Sequence, residues 1–326
     1  MADAGRHRSP PGRGGRGPAS PRPHPHHRHL GVRAHHVVIG LVVALGAAAL
    51  VAVAVAAGVG PGTLVRAVAG AVSPSATGAV PSGTPSAGTS RNAGPLVLVG
   101  LGDSVPSATT CDCAGYVEQL GARLSTATGR TPVVHNDAVG GWTTSDVERD
   151  LDSAATHRDL THADLVVVEV GANDFDLDRV DDPTCLPAAS SPCWTDTLKG
   201  LHDGLTRIVN GIKAADTNPD LRVAVVGYWN VTVDGAVGRA QGNAFVIGSD
   251  ALTKVVNSTV DQVAAATGAV YVDAYTPLKG EAGDRDPTSD LLDDGDHPNA
   301  SGHALLMEAV YDALEDAGAV SRWSSG

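Results

Sequence analysis

The sequence predicts an α/β fold, with one doubly wound, parallel sheet of five strands within residues 95–321. Two observations support this prediction. Short β-branched runs alternate with longer stretches in which apolar residues recur every three or four positions. The short runs are also continuous rather than alternating, which is typical of strands that are buried on both faces.

The predicted strands and helices alternate along the chain. The strands are expected at 96–99, 133–134, 165–168, 223–226 and 270–272. The helices are expected at 116–127, 144–154, 195–215, 251–267 and 301–317. In such a sheet ligands bind beyond the carboxyl ends of the strands, so functional residues are expected directly after each strand.

Composition and charge exclude several classes of protein. The chain has 326 residues, 42% of them hydrophobic, which is enough for a buried core and excludes a collagen or a wholly disordered chain. The formal net charge is −13, although residues 1–36 are basic, with seven arginines and one acid. Because an acidic body repels phosphates, we expect no nucleic-acid partner.

Three segments precede the predicted domain. Residues 1–36 form a basic tail rich in Arg, His and Pro, and residues 60–94 form a disordered linker rich in Pro, Ser, Thr, Gly and Ala. Residues 37–59 carry no charge and, as a helix, would reach about 34 Å, enough to cross a membrane. The arginines before this segment predict a single-pass anchor with a cytoplasmic N-terminus and an extracellular body. Alternatively, it is a signal peptide, and the protein is secreted after cleavage.

A serine follows the first predicted strand, in Gly102-Asp103-Ser104. On a sharp strand-to-helix turn its hydroxyl would face the ligand side of the sheet, although serine is also a common helix N-cap. The run from Gly100 to Gly102 begins like a dinucleotide fingerprint, but Val105 stands where a third glycine is needed. We therefore expect no nicotinamide or flavin cofactor.

The second and third strands also end in segments that suit a site. Paired glycines, Gly140 and Gly141, let backbone N–H groups approach a ligand closely, though a plain loop needs glycine too. Asn173 can donate N–H bonds towards a developing charge, or it belongs to an ordinary turn. Both segments are therefore candidates for contact with a ligand.

The loop before the last predicted helix contains Asp294 and His297, three residues apart. One loop can therefore carry a base and the carboxylate that orients its ring. The other interpretations are a solvated acidic turn and a hard-metal site at Asp293, Asp294 and Asp296. One histidine among flexible carboxylates is a weak metal signal, so we expect no metal.

Four blocks together resemble the GDSL-type esterases and lipases, also called SGNH hydrolases, over essentially all of 95–321. The blocks are Gly-Asp-Ser at 102–104, Asn-x-Ala-x-x-Gly at 136–141, Gly-x-Asn-Asp at 171–174 and Asp-x-x-His-Pro-Asn at 294–299. Each block is weak alone, but four in this order form a specific pattern. The resemblance implies a flavodoxin-like, three-layer α/β/α sandwich with a five-stranded parallel sheet.

The resemblance also implies catalytic roles for five residues. Ser104 would be the nucleophile, His297 its general base, and Asp294 the residue that orients His297. The backbone N–H groups of Ser104 and Gly141 and the side-chain amide of Asn173 would form the oxyanion hole. Together these groups supply an activated hydroxyl and three donors for the tetrahedral intermediate of acyl transfer.

These roles imply an extracytoplasmic serine esterase without a cofactor, which acts on a small-molecule, lipid or polysaccharide ester. The low aromatic content of 3% favours short acyl groups. The alternatives are a longer-chain lipase of the same family and a non-catalytic, glycan-binding module of the cell envelope. We expect a monomer that is attached to the membrane through residues 37–59 and has a C-terminal tail at 322–326.

The four cysteines, Cys111, Cys113, Cys185 and Cys193, allow three disulfide connectivities, and the sequence does not choose between them. A bridge from Cys185 to Cys193 is favoured because it closes a short loop, with a stabilisation of roughly 2.5 kcal/mol in the chain-entropy model. It leaves Cys111 and Cys113 to a tight local bridge of unusual geometry. The alternative connectivities pair Cys111 and Cys113 each with one of the other two cysteines.

Overall fold

The computed structural model describes residues 94–324. The predicted tail at 1–36, the predicted anchor at 37–59 and the linker up to residue 93 lie outside the described residues. Within 94–324, none of the helices combines the length and the apolar character needed to span a bilayer.

The strands form one five-stranded sheet in which every pairing is parallel. They are β1 (Leu96–Gly102), β2 (Pro132–Asn136), β3 (Leu165–Glu169), β4 (Arg222–Val226) and β5 (Val270–Val272). Their order across the sheet is β2-β1-β3-β4-β5, which is the flavodoxin-like order of a doubly wound sheet. The order reverses beside β1, so the crevice for a ligand is expected at the carboxyl ends of β1 and β3.

The helices follow the strands as the sequence predicts, with additional short helices. They are α1 (Ser104–Ser107), α2 (Tyr116–Thr128), α3 (Thr144–Asp150), α4 (Ala154–Leu160), α5 (Thr195–Ala215), α6 (Gly235–Ala240), α7 (Asn243–Thr267), α8 (Tyr275–Lys279), α9 (Ala300–Asp316) and α10 (Ala319–Ser324). The predicted helix at 144–154 ends earlier because Ser153 caps a new helix, its side chain accepting a hydrogen bond from the backbone of Thr156. Helix α7 begins eight residues before the predicted start at 251.

The sheet is buried on both faces, against two separate cores. On β3, Val166 and Val168 belong to one core, and Leu165 and Val167 belong to the other. Residues of α5 and α7 complete the first core, and residues of α2, α9 and α10 complete the second. Each fully buried valine or leucine contributes roughly 1.5–3 kcal/mol relative to an exposed one. The three-layer α/β/α sandwich is thus confirmed, and two-sided burial explains why the strand sequences are continuously apolar.

The ordered fold continues beyond the domain boundary that the sequence suggests at 321. Helix α10 extends to Ser324, and the side chain of Trp323 is only 1% exposed because it packs in the second core. Part of the predicted tail at 322–326 is therefore structural.

The structure brings the four cysteines together in two local pairs. Cys185 lies at bonding distance from Cys193, and Cys111 lies at bonding distance from Cys113. This arrangement agrees with the connectivity that loop length favours, and the crossed pairings do not occur.

Candidate active site

Ser104 lies at the first turn of α1, directly beyond the carboxyl end of β1. The turn is sharp because Gly102 has a φ of 145°, a conformation that other residues rarely adopt, and a side chain there would overlap the carbonyl oxygen of Glu169. Asp103 caps the helix by accepting a hydrogen bond of 3.2 Å from the backbone of Val105. The cap is thus Asp103, and the Ser104 side chain is free for another role.

Ser104 lines a cavity of about 60 Å³ at the carboxyl edge of the sheet. Asn173 lines the same cavity, together with Tyr228 and Asn230 from the segment after β4. Asp296, from the loop before α9, closes another part of the wall. The cavity therefore collects residues from three strand ends and the last loop, as expected for a ligand site in a doubly wound fold.

The glycine loop after β2 lies beside the serine. A methyl group added to Gly140 would be 3.7 Å from Cβ of Ser104. The loop is held there because Val139 donates a backbone hydrogen bond of 3.0 Å to Gly102. Gly141 has a φ of 83°, and its N–H donates to no other residue within 94–324. That N–H remains available to a ligand.

Asn173 lies in a single 3₁₀ turn after β3 and next to the glycine loop. Its Nδ2 donates to the carbonyl oxygen of Trp142 at 3.0 Å, which leaves its second amide proton available. The neighbouring Asp174 accepts hydrogen bonds from Thr144, at 3.0 Å from the backbone and 2.7 Å from the hydroxyl. These bonds fasten the loops after β2 and β3 to each other and fix Asn173 at the cavity.

Asp294 and His297 form a hydrogen-bonded pair in the loop before α9. His297 Nδ1 lies 2.8 Å from Asp294 Oδ2. Asp294 Oδ1 accepts two backbone hydrogen bonds, from His297 at 3.0 Å and from Asp296 at 2.9 Å. Burial alone would raise the pKa of Asp294, but the hydrogen bonds from His297 and Asp296 outweigh it and lower that pKa. The carboxylate is therefore held ionised against the ring.

The other ring nitrogen of His297 is open. Nε2 makes no hydrogen bond to any residue of the described chain, and it lies 4.0 Å from Asp296 Oδ2. Asp296 itself lines the cavity with Ser104, so this nitrogen is within 4.0 Å of a side chain of the cavity wall. Of the five candidate residues, Ser104 and Asn173 thus lie in one cavity wall. Gly141 follows Gly140, which lies beside the serine, and the Asp294–His297 pair flanks the wall residue Asp296 in sequence.

A buried acidic cluster adjoins the serine, and Asp103 is its one member that belongs to a sequence motif. Asp103 is 1% exposed and accepts a hydrogen bond of 2.9 Å from the Tyr228 hydroxyl. Burial raises the pKa of Asp103 to about 7, although the bond from Tyr228 opposes this shift. Glu169 is fully buried nearby, and burial, followed by the charge of Asp103, raises its pKa well above the usual range. Tyr228 lies just after β4, and this position at the carboxyl edge was the signal that could have identified it.

Potential metal ligands converge at one place within the described residues, outside the cavity. One thiol or imidazole atom each from Cys111, Cys113 and His303 lies within 4.8 Å of the others. The two sulfur atoms are at bonding distance from each other and are therefore not free thiolates. The acidic residues at 293–296 form no such group within 94–324.

A model of the GDSL-like lipase/acylhydrolase family matches residues 101–305. The chain belongs to this family. The match runs from the end of β1 into α9 and includes every residue that lines the cavity. This GDSL-like hydrolase is accordingly an enzyme that hydrolyses carboxylic esters. No curated protein sequence matches it closely enough to be called a relative.

Solved structures of other hydrolases are similar to this GDSL-like hydrolase. A lipase from a goat rumen metagenome has a TM-score of 0.54 and 15% sequence identity, over 67% of this chain and 97% of that one. A lipase/acylhydrolase from Enterococcus faecalis has a TM-score of 0.47 and 18% identity, over 68% and 97%. An acetylxylan esterase mutant from Geobacillus stearothermophilus has a TM-score of 0.45 and 20% identity, over 67% and 93%. The likeness to the goat rumen lipase supports the common fold.

Proposed function

We propose that this hydrolase is a serine esterase for short-acyl esters, with Ser104 as nucleophile, His297 as general base and Asp294 as the group that orients the base. The observation that carries the proposal is the hydrogen bond of 2.8 Å from His297 Nδ1 to Asp294 Oδ2. It leaves Nε2 as the proton-accepting atom, and this atom lies 4.0 Å from Oδ2 of Asp296, which lines the cavity together with Ser104. The Asp294 carboxylate, by accepting the proton on Nδ1, favours the tautomer of His297 in which Nε2 can accept a proton.

In the first half of the reaction, His297 Nε2 takes the proton from the Ser104 hydroxyl as its Oγ attacks the acyl carbon. The electron pair of the carbonyl bond moves to oxygen and gives a tetrahedral oxyanion. When this intermediate collapses, the bond to the alcohol oxygen breaks and His297 returns the proton to the leaving alcohol. The product of this half is an acyl-enzyme on Ser104.

In the second half, water replaces the alcohol. His297 takes a proton from the water as its oxygen attacks the acyl carbon, and a second oxyanion forms. Collapse of this intermediate breaks the bond to Ser104 Oγ, which receives the proton from His297. The carboxylic acid leaves, and the enzyme returns to its starting state.

Three N–H groups are the proposed hydrogen-bond donors that stabilise both oxyanions. The backbone N–H groups of Ser104 and Gly141 have no partners within 94–324, and Asn173 keeps one amide proton free. Because the loops are fastened to each other, we expect these donors to be preorganised before charge develops. Loss of one such donor typically lowers turnover by about 10²- to 10³-fold.

The size of the cavity supports the preference for short acyl groups. Its volume is about 60 Å³, well below the roughly 300–1,000 Å³ of pockets that enclose drug-sized ligands. Val105, Leu177 and Val231 supply an apolar part of the wall, which suits a small alkyl group. A long acyl chain would have to lie outside this cavity.

The proposal is tested by hydrolysis of p-nitrophenyl esters, from acetate to palmitate, by the full-length chain in mild detergent. We expect the highest kcat/KM with acetate, turnover that persists with a chelator, and no turnover by Ser104→Ala. Ser125→Ala, on α2 and outside the cavity, is the matched control and should keep full activity.

The oxyanion hole has its own variant in the same assay. Asn173→Ala should lower kcat by about 10²- to 10³-fold while leaving the melting temperature unchanged. Asn243→Ala, an exposed amide at the start of α7, should have no effect. Equal turnover by Ser104→Ala and the wild type would exclude the serine mechanism, and a maximum at palmitate would indicate a lipase.

The proposed location is outside the cytoplasm, with residues 37–59 as a membrane anchor and the hydrolase domain as a monomer on the outer face. The uncharged run and the arginines before it support this orientation. Protease added to intact cells should remove the hydrolase domain and leave the tail at 1–36 protected. Protection of the whole chain would contradict the proposed location.

A further inference from the structure

Asn230 is a wall residue of the cavity that the proposed mechanism does not use. It lies in the segment that leads from β4 to α6 and lines the same cavity as Ser104 and Asn173. The side chain is mostly enclosed, since the residue is 7% exposed. An amide in such a position contributes both a donor and an acceptor.

The orientation of the Asn230 amide is determined by its neighbours. The backbone N–H of Thr232 lies 3.0 Å from Oδ1, and because a backbone N–H can only donate, this atom must be the oxygen. The Ser249 hydroxyl donates to the same oxygen at 2.6 Å and is itself 2.7 Å from the Thr232 hydroxyl. All these groups are buried, so Oδ1 is fixed in a polar cluster away from solvent.

The amide nitrogen is consequently left for the cavity. Nδ2 of Asn230 has no hydrogen-bond partner within residues 94–324, and it is not among the side-chain atoms sealed from solvent. With Oδ1 directed into the buried cluster, Nδ2 is the polar atom of this side chain that remains for the open side. A nearly enclosed amide donor without a partner is costly unless a ligand or water satisfies it.

We infer that Asn230 is a specificity-determining residue, whose Nδ2 donates a hydrogen bond to an uncharged oxygen of the substrate other than the scissile ester group. This inference rests on the proposed esterase function and adds the substrate class: an ester with a hydroxyl, ether or second carbonyl oxygen close to the reacting bond. A few placed polar groups of this kind are what orient ligands in small pockets.

The charges of the cavity favour an uncharged oxygen over a carboxylate or phosphate. Asp103 and Asp296 both line the wall, and no lysine or arginine of the described chain does. An anionic group next to Asn230 would therefore lose its water without a compensating cation. A neutral acceptor gains the hydrogen bond without this cost.

Two matched pairs of esters test the inference and locate the oxygen. On the acyl side, p-nitrophenyl methoxyacetate is compared with p-nitrophenyl acetate. On the alcohol side, trans-2-methoxycyclohexyl acetate is compared with cyclohexyl acetate. Within each pair the ratio of kcat/KM values is measured for the full-length wild type and each variant, so that differences in intrinsic reactivity cancel.

The informative variants are Asn230→Ala and Asn230→Asp. The aspartate keeps an oxygen for Thr232 and Ser249 but replaces the donor that faces the cavity, so it preserves the buried cluster. In one pair, we expect both variants to reduce the preference for the oxygen-bearing ester by about 3- to 10-fold, the usual value of one neutral hydrogen bond. Thr232→Val removes a hydroxyl of the cluster but not the donor, and its ratio should equal that of the wild type.

The pair that responds identifies whether the oxygen belongs to the acyl group or the alcohol. Unchanged ratios in both pairs, or equal losses for both members of each pair, would overturn the inference and leave Asn230 a purely structural residue. If the inference fails in this way but Ser104→Ala still abolishes hydrolysis in the same experiment, the proposed function stands. If no ester shows serine-dependent turnover, both the proposed function and the role of Asn230 are wrong.

Discussion

The hydroxyl of Tyr228 donates a hydrogen bond of 2.9 Å to Asp103 Oδ2 and accepts one of 3.2 Å from the backbone of Ala172. Asp103 precedes Ser104, and Ala172 precedes Asn173. One buried phenol thus connects the segment of the proposed nucleophile to the segment of a proposed oxyanion donor. The relative position of these two groups depends on a side chain that does not itself take part in bond making.

We therefore expect Tyr228→Phe to lower kcat about 10-fold, with little change in KM. The variant keeps the ring in the core but removes both hydrogen bonds, so the donors lose part of their preorganisation for the transition state. Steady-state kinetics with p-nitrophenyl acetate measure the effect. Tyr271→Phe is the matched control, because the Tyr271 hydroxyl makes no hydrogen bond to any residue within 94–324. Equal kinetics for both variants would show that Tyr228 only fills space.

A buried ion pair supports the loop that carries His297. Lys279 Nζ lies 2.7 Å from Asp234 Oδ2, and the two side chains are only 9% and 11% exposed. The backbone of Asp234 donates a hydrogen bond of 2.7 Å to Gly295, in the middle of that loop. Since removal of one partner leaves an unpaired buried charge, Lys279→Met should lower the free energy of unfolding by about 3–5 kcal/mol.

Urea unfolding measures this change, and the protein provides its own control. Lys254 pairs with Asp250 at 2.8 Å, but its side chain is 56% exposed, so Lys254→Met should change the stability by less than about 1 kcal/mol. Similar values for the two variants would mean that the Lys279–Asp234 pair is effectively solvated.

The buried carboxyl of Glu169 leads to a prediction about pH. Its pKa is raised by burial and by Asp103, so the folded state holds a proton that the unfolded chain releases above its ordinary pKa. This contribution to stability is therefore lost as pH rises, by up to about 1.4 kcal/mol per pH unit. Glu169→Gln carries no such proton, and its stability relative to the wild type should increase steadily from pH 5 to pH 7.

The measurement is urea unfolding of both proteins at pH 5, 6 and 7. Burial lowers the pKa of His303 to about 4, and this group makes stability rise with pH over part of the same range. Its contribution is common to the two proteins and cancels in the difference. Parallel pH profiles would mean that Glu169 is ionised in the folded state.

Much of the fold can be predicted because strands that are buried on both faces of the sheet have continuously apolar sequences. The run at 165–168 is recognisable as a strand since both of its faces are apolar, and β3 spans it. The residues at strand ends can likewise be located, because a parallel sheet places all of its carboxyl ends along one edge. Ser104 and Asn173 are therefore found in one cavity although many residues separate them.

The remaining features depend on contacts that a local pattern does not contain. The start of α7 escapes prediction because Gly242 and Gly248 interrupt the helical pattern. Gly248 is nevertheless needed within the helix, since a side chain there would overlap the backbone of Val180. Tyr228 and Asn230 belong to no motif, and their roles follow from partners on other elements. Such residues become visible only when the chain is folded.

Helix α9 packs against α2, where Arg123 lies 3.6 Å from the ring centre of Tyr311. The element that follows His297 is thus fastened to one of the first helices of the domain. Contacts between such distant parts of a chain form late, because a long loop must close before they contribute. During synthesis the polypeptide accordingly carries its proposed nucleophile without the base, and it becomes able to cleave esters only after almost the whole domain has left the ribosome and folded.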